Sequence, residues 1–173
     1  MTPEDYINTM DKLKKGHTTI YENFQMPNDE EFFNTLRNKN LRTIVLAEVW
    51  CGHCMMNIPI LLRLSEKTDI PIRILPRDDN LELMDQYLTN GSRTIPIFIF
   101  IDQEGNEVAK WGPMAETTRN FVTPYREKLP PKDAEDYQEK FKEMVKITTK
   151  AFSEDHRLWD GVYNSIKQTL QQV

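Results

Sequence analysis

The chain has 173 residues, a length that supports a sizeable core without disulfide staples or structural metals. Its composition is that of an ordinary globular protein, 39% hydrophobic and 28% charged, with a net charge of −5 that disfavours nucleic-acid binding. No apolar run approaches the roughly 20 residues of a membrane span, and the acidic start, MTPEDYINTM, does not read as a secretory signal.

Thr2 before Pro3 reads as an N-cap with proline in the first turn, and Tyr6, Met10 and Leu13 follow at helical spacing. Asn28, with Glu31 three residues on, marks a second helix entry leading to Phe32, Phe33 and Leu36. Thr43 to Val49 is almost continuously apolar and β-branched, as a strand covered on both faces should be. From about Gly52 to Lys67 the chain is apolar nearly all round, which predicts a buried helix, kinked where Pro59 removes a backbone donor.

Ile70 to Leu75, ended by Pro76, is a second strand, and Leu81 to Leu88 a short helix stopped by Asn90-Gly91. Ile97 to Ile101 is a third strand, turned by Asp102 to Asn106 into a fourth around Val108. After Gly112-Pro113 the pattern is helical. Ala134, Tyr137, Phe141, Met144 or Val145, Thr148 and Phe152 share one face. Leu158, Trp159, Val162, Tyr163, Ile166 and Leu170 share another.

The only two cysteines are Cys51 and Cys54, at the junction of the first strand and the buried helix, in the run Trp50-Cys51-Gly52-His53-Cys54. So close a pair is no disulfide framework. A cysteine just ahead of a helix sits beside unpaired backbone N–H groups and the positive end of the helix dipole, which favour the thiolate. The thiolate is the attacking species in disulfide exchange, and two intervening residues let the second sulfur reach the first. Half a zinc site is the main alternative, but its other ligands would have to come from His17, His53 or His156, with no second C-x-x-C; no metal is expected. Haem attachment needs a histidine where Met55 stands, and an iron–sulfur cluster shared between subunits is a further alternative.

The run Trp50 to Cys54 resembles the active site of the thioredoxin superfamily, and its Cys-Gly-His-Cys form is similar to that of protein disulfide isomerase. Other positions fit. Pro59 stands where thioredoxins kink the active-site helix, and Thr94-Ile95-Pro96 resembles the cis-proline loop. Arg93 matches a residue type seen before that loop, and Gly112 resembles the glycine closing the last strand. The likeness spans about Leu41 to Gly112. It implies one thioredoxin-like α/β domain over 1–173: a central mixed sheet flanked by helices, with helical extensions at 1–40 and 113–173 around a redox core at 41–112.

By the same resemblance, Cys51 is the exposed nucleophile and Cys54 the buried resolving thiol. Trp50, Ile95 and Pro96 contact an extended substrate, with Arg93 as a further contact. His53 between the sulfurs would stabilise the Cys51 thiolate and make the disulfide more oxidising. The family's buried acid, six positions before the first cysteine, is replaced by Val45; Glu48, with its pKa raised in a covered strand, is the stand-in proton carrier.

The implied activity is thiol–disulfide exchange without a cofactor. Its expected partners are protein thiols or disulfides and a dithiol electron donor such as a reductase, with no nucleic acid and no membrane. The sparing use of cysteine points to a reductant in the cytoplasm, whereas Gly-His between the cysteines points to an isomerase. Reference potentials of thioredoxin and protein disulfide isomerase lie about 90 mV apart, or ~4 kcal/mol for two electrons. A different reading is a redox-sensitive binding module whose C-terminal helices hold one partner.

Overall fold

A computed structural model describes residues 1–173. At its centre, β1 (Arg42–Ala47) is flanked by β2 (Ile72–Pro76) in parallel and by β3 (Ile97–Ile101) antiparallel, with β4 (Glu107–Trp111) antiparallel at the far side of β3. This four-stranded mixed sheet flanked by helices, with helices at both ends, is a thioredoxin-like α/β fold. The central strands are the apolar ones because neighbours cover them on both edges and helices on both faces: Val45 pairs with Ile74 and Phe98, and all three are fully buried.

At the N-terminal end, α1 (Pro3–Thr9) is capped reciprocally by Thr2 and Asp5, so the expected entry is present. The periodicity through Leu13 does not describe one helix, however. The chain turns extended at Met10 and restarts as α2 (Lys14–Asn23), which packs on α4 (Gly52–Thr68). The next helix, α3 (Glu30–Arg37), follows Asp29 rather than Asn28, and no side chain caps it. Short α5 (Leu81–Met84) ends four residues before the expected Leu88.

After the sheet come α6 (Glu116–Glu127), α7 (Tyr137–Glu154) and α8 (His156–Leu170). These are not loosely attached. Every helix of the chain contributes to one contiguous hydrophobic cluster, with Val122, Phe152, Trp159, Val162 and Ile166 buried in it beside Met55, Met56 and Phe98. Polar ties fix α8 further: Trp111 Nε1 donates to Ser165 Oγ at 2.8 Å, Tyr163 Oη to Asp29 Oδ2 at 2.6 Å, and Lys167 pairs with Asp29 at 2.9 Å. No helix is long and apolar enough to cross a membrane.

Candidate active site

The first strand stops at Ala47, two residues earlier than its apolar run suggests, because the chain must turn before entering α4. The turn is held by the Cys51 N–H donating to Glu48 O at 3.2 Å and by Tyr6 Oη of α1 donating to the same carbonyl at 3.0 Å. Cys51 is then the N-cap of α4, extended at φ −85° and ψ 119°, and its sulfur accepts the otherwise orphaned N–H of Cys54 at 3.3 Å. Both cysteines are free thiols.

The two sulfurs experience opposite environments. A hydrogen bond from the Cys54 thiol holds the Cys51 thiol below its ordinary pKa against the cost of burial. The N–H groups of Cys54 and His53 and the Arg77 charge act in the same direction. Cys54 is fully enclosed, and burial pushes its thiol well up, with the hydrogen bond to Cys51 and that group's charge adding to the rise. Cys51 was expected to be exposed, yet it retains only 8% of its surface. Cover comes from the Ile95–Pro96 loop, whose peptide is cis and whose Ile95 carbonyl lies 3.7 Å from Cys51 Sγ.

That loop is in turn held from β4. Gly112 lies at φ +122°, and a Cβ there would fall 2.2 Å from the Pro96 carbonyl oxygen, so only glycine permits the approach. Pro113 beyond it is tied to α4 by buried Asn57, whose Nδ2 donates to Pro113 O at 3.1 Å. Asn57 thus links the cysteine-bearing helix to the Gly112–Pro113 segment, on which the Pro96 loop rests. Nothing in its sequence context sets it apart, since a lone asparagine in an apolar helix has no pattern of its own.

His53 is where the sequence reading needs correcting. Its ring packs on Phe152 of α7 at 4.9 Å between centroids, and its Nδ1 is buried without a partner. Burial, reinforced by the Arg126 charge, lowers its pKa to about 4. At neutral pH the imidazole is uncharged, so it lends Cys51 a backbone N–H but not a cation. Support by charge comes instead from Arg77, just after β2, whose guanidinium lies 5.1 Å from the Trp50 ring centroid.

Glu48 also differs from expectation. It follows the strand rather than lying within it, and its carboxylate is turned aside to accept the Asp78 N–H at 2.8 Å. Trp50 is 59% exposed. Arg93 donates in bidentate fashion to Asp85, at 2.7 and 2.9 Å. No cluster of metal-ligating side chains is present around the pair or elsewhere.

A thioredoxin family model matches residues 1–129. The chain belongs to that family. The match reaches from α1 through α6, well beyond the stretch 41–112 that carries the motif resemblance, and it stops before α7. No curated protein gives a match. The thioredoxin-like fold is also seen in a protein of unknown function from Pseudomonas aeruginosa, solved at 1.5 Å. That protein is 15% identical, with a TM-score of 0.61 over 96% of this chain and 92% of the other. An HIV epitope-scaffold superposes with a TM-score of 0.65 over 100% of this chain and 99% of the scaffold, at 11% identity. Both likenesses extend through the C-terminal helices. The fold is therefore shared over its whole length, and the neighbouring Cys51 and Cys54 fit thiol–disulfide oxidoreductase chemistry at the level of the family.

Proposed function

We propose that the protein reduces disulfides in other proteins, with Cys51 attacking and Cys54 resolving. The observation that carries this reading is the opposed pair of thiols: one held toward the thiolate at a helix N-cap, the other buried beside it and held protonated. In the first step the Cys51 thiolate attacks one sulfur of a substrate disulfide. The substrate S–S bond breaks, and its second sulfur leaves as a thiolate that takes a proton from water. Cys54 then gives up its proton and attacks Cys51 Sγ. The Cys51–Cys54 bond forms, the mixed disulfide breaks, and the released substrate sulfur takes up the proton. Two electrons pass to the substrate, and a dithiol donor returns the pair to its starting state.

The uncharged state of His53 bears on direction. An imidazolium between the sulfurs stabilises the thiolate, hence the reduced form, and makes the disulfide a stronger oxidant. With the imidazole neutral that contribution is lost, which favours the reductant over the isomerase despite the Gly-His spacer. A reductant belongs in a reducing compartment, the cytoplasm. Insulin reduction with a dithiol donor tests the reading. The intact chain should precipitate insulin chains and Cys51→Ser should not; an inert intact chain overturns it.

A further inference from the structure

Cys51 lines a groove that disulfide exchange alone does not require. Trp50, Cys51 and His53 form one wall, and α6, α7 and the loop between them supply the other, around a space of about 550 Å³. The lining is mostly apolar, and Phe141 and Val145 of α7 are 38% and 40% exposed, large apolar groups left facing water on a helix that buries only Thr148 and Phe152. Two charged residues line the groove, Arg126 and Lys132. Both are cations, neither belongs to any ion pair, and no carboxylate lines the groove although acids outnumber bases 27 to 22 in the chain. Arg126 also lies near enough to His53 to help keep that imidazole neutral, so its charge reaches the cysteine wall.

An open apolar groove is filled by a ligand that spreads apolar area over several side chains, which a polypeptide does and a small polar disulfide does not. Unpaired cations beside an apolar groove attract and steer a carboxylate, and where they are exposed, as Arg126 and Lys132 are, that attraction is screened by salt. On the basis of the disulfide-reductase reading, we propose that the groove selects polypeptide disulfides whose cysteine is flanked by apolar and acidic side chains. The apolar residues seat against Phe141 and Val145, and a carboxylate meets Arg126 and Lys132. A specificity surface is thus built from the C-terminal helices next to the nucleophile.

The test uses two disulfide-bridged peptides with the same Leu and Phe flanks, one carrying Glu and the other Lys, with bis(2-hydroxyethyl) disulfide as a small neutral substrate. Their reduction is followed with the full chain and with the double variant Arg126→Glu, Lys132→Glu, both shown folded by circular dichroism. The intact chain should favour the Glu peptide in kcat/KM by about tenfold at low salt, the gap should shrink as salt rises, and the double variant should favour the Lys peptide. Equal kcat/KM for the two peptides, with disulfides still reduced, overturns the groove proposal and leaves the reductase reading standing. No reduction of any disulfide overturns the reductase reading, and binding of S-methylated forms of the two peptides by calorimetry then decides the groove. Tighter binding of the Glu form supports its preference, and equal binding overturns it. A dimer that sedimentation detects and charge reversal dissolves would assign the groove to a second copy of the chain, which also overturns the proposal.

Discussion

The two walls around Cys51 are built on different principles. On the cysteine wall the backbone groups that matter are accounted for locally. The Cys54 N–H goes to Cys51 Sγ, the Cys51 N–H goes to Glu48 O, and Gly112 brings the Pro96 loop against the sulfur. On the facing wall, α6, α7 and the loop between them leave Arg126 and Lys132 without ion pairs and Phe141 and Val145 facing solvent. A wall whose backbone groups satisfy one another fixes a geometry for chemistry. A wall whose groups lack partners is free to bind something else. The two meet at His53 and Phe152, and at Gly52, where a Cβ would come within 3.1 Å of Thr149 Oγ1.

The largest effect should come from removing the nucleophile: Cys51→Ser should lower turnover by ~10³-fold or more, since Cys54 is too enclosed and too protonated to replace it. Cys54→Ser should instead accumulate a mixed disulfide at Cys51, visible by mass spectrometry. At the junction, Phe152→Ala should cost roughly 3–5 kcal/mol in denaturant unfolding, because it empties a buried aromatic site in contact with both walls. In the milder Phe152→Leu, the His53 resonance should titrate above its native value of about 4.

Next in size is the response to pH. His17 and His53 both titrate near 4 when folded because burial opposes their charge, against about 6.5 when unfolded. Between those values the unfolded chain binds more protons, so stability should rise from pH 4 to pH 6.5 and level off above it. The gain is at most about 3 kcal/mol per imidazole. His53→Gln should remove about half of that slope, His17 supplying the rest; a slope unchanged in this variant would contradict the neutral ring packed on Phe152.

Smaller effects separate the contributors to the Cys51 thiolate. Cys54→Ala should raise the Cys51 thiol pKa more than Arg77→Gln does, since the thiol hydrogen bond is the leading cause and the guanidinium charge a lesser one. Alkylation rates against pH would rank the two. Glu48→Gln should have the smallest consequence of all. Its carboxylate serves the Asp78 N–H and its charge is the least of the causes that raise the Cys54 thiol, so the pH profile of disulfide reduction should move only slightly, toward lower pH.

What the sequence disclosed follows the same division. The cysteine wall was legible because its determinants are local: a continuous apolar strand, a helix start bearing the C-x-x-C pair, a proline and a glycine at fixed separations. The faces of α7 and α8 were legible from helical periodicity, but which element they pack on was not, because that is a property of the tertiary fold. The neutral state of His53 depends on Phe152, 99 residues away, and no local pattern encodes it. Glu48 falls just outside the strand because an apolar run does not say where a strand must end to let the chain turn. The break at Met10 was hidden for a related reason: helical spacing persists across the gap, while Met10 itself packs in the core in an extended conformation.

The central claim is that one thiol of the pair is poised to attack and the other is held back. Stoichiometric alkylation of the reduced, native chain across pH, mapped by peptide mass, measures it directly. The account predicts a single modification, at Cys51, with a midpoint below the roughly 8.5 of an ordinary cysteine. Modification of Cys54 first, or a Cys51 midpoint at or above that value, would contradict it.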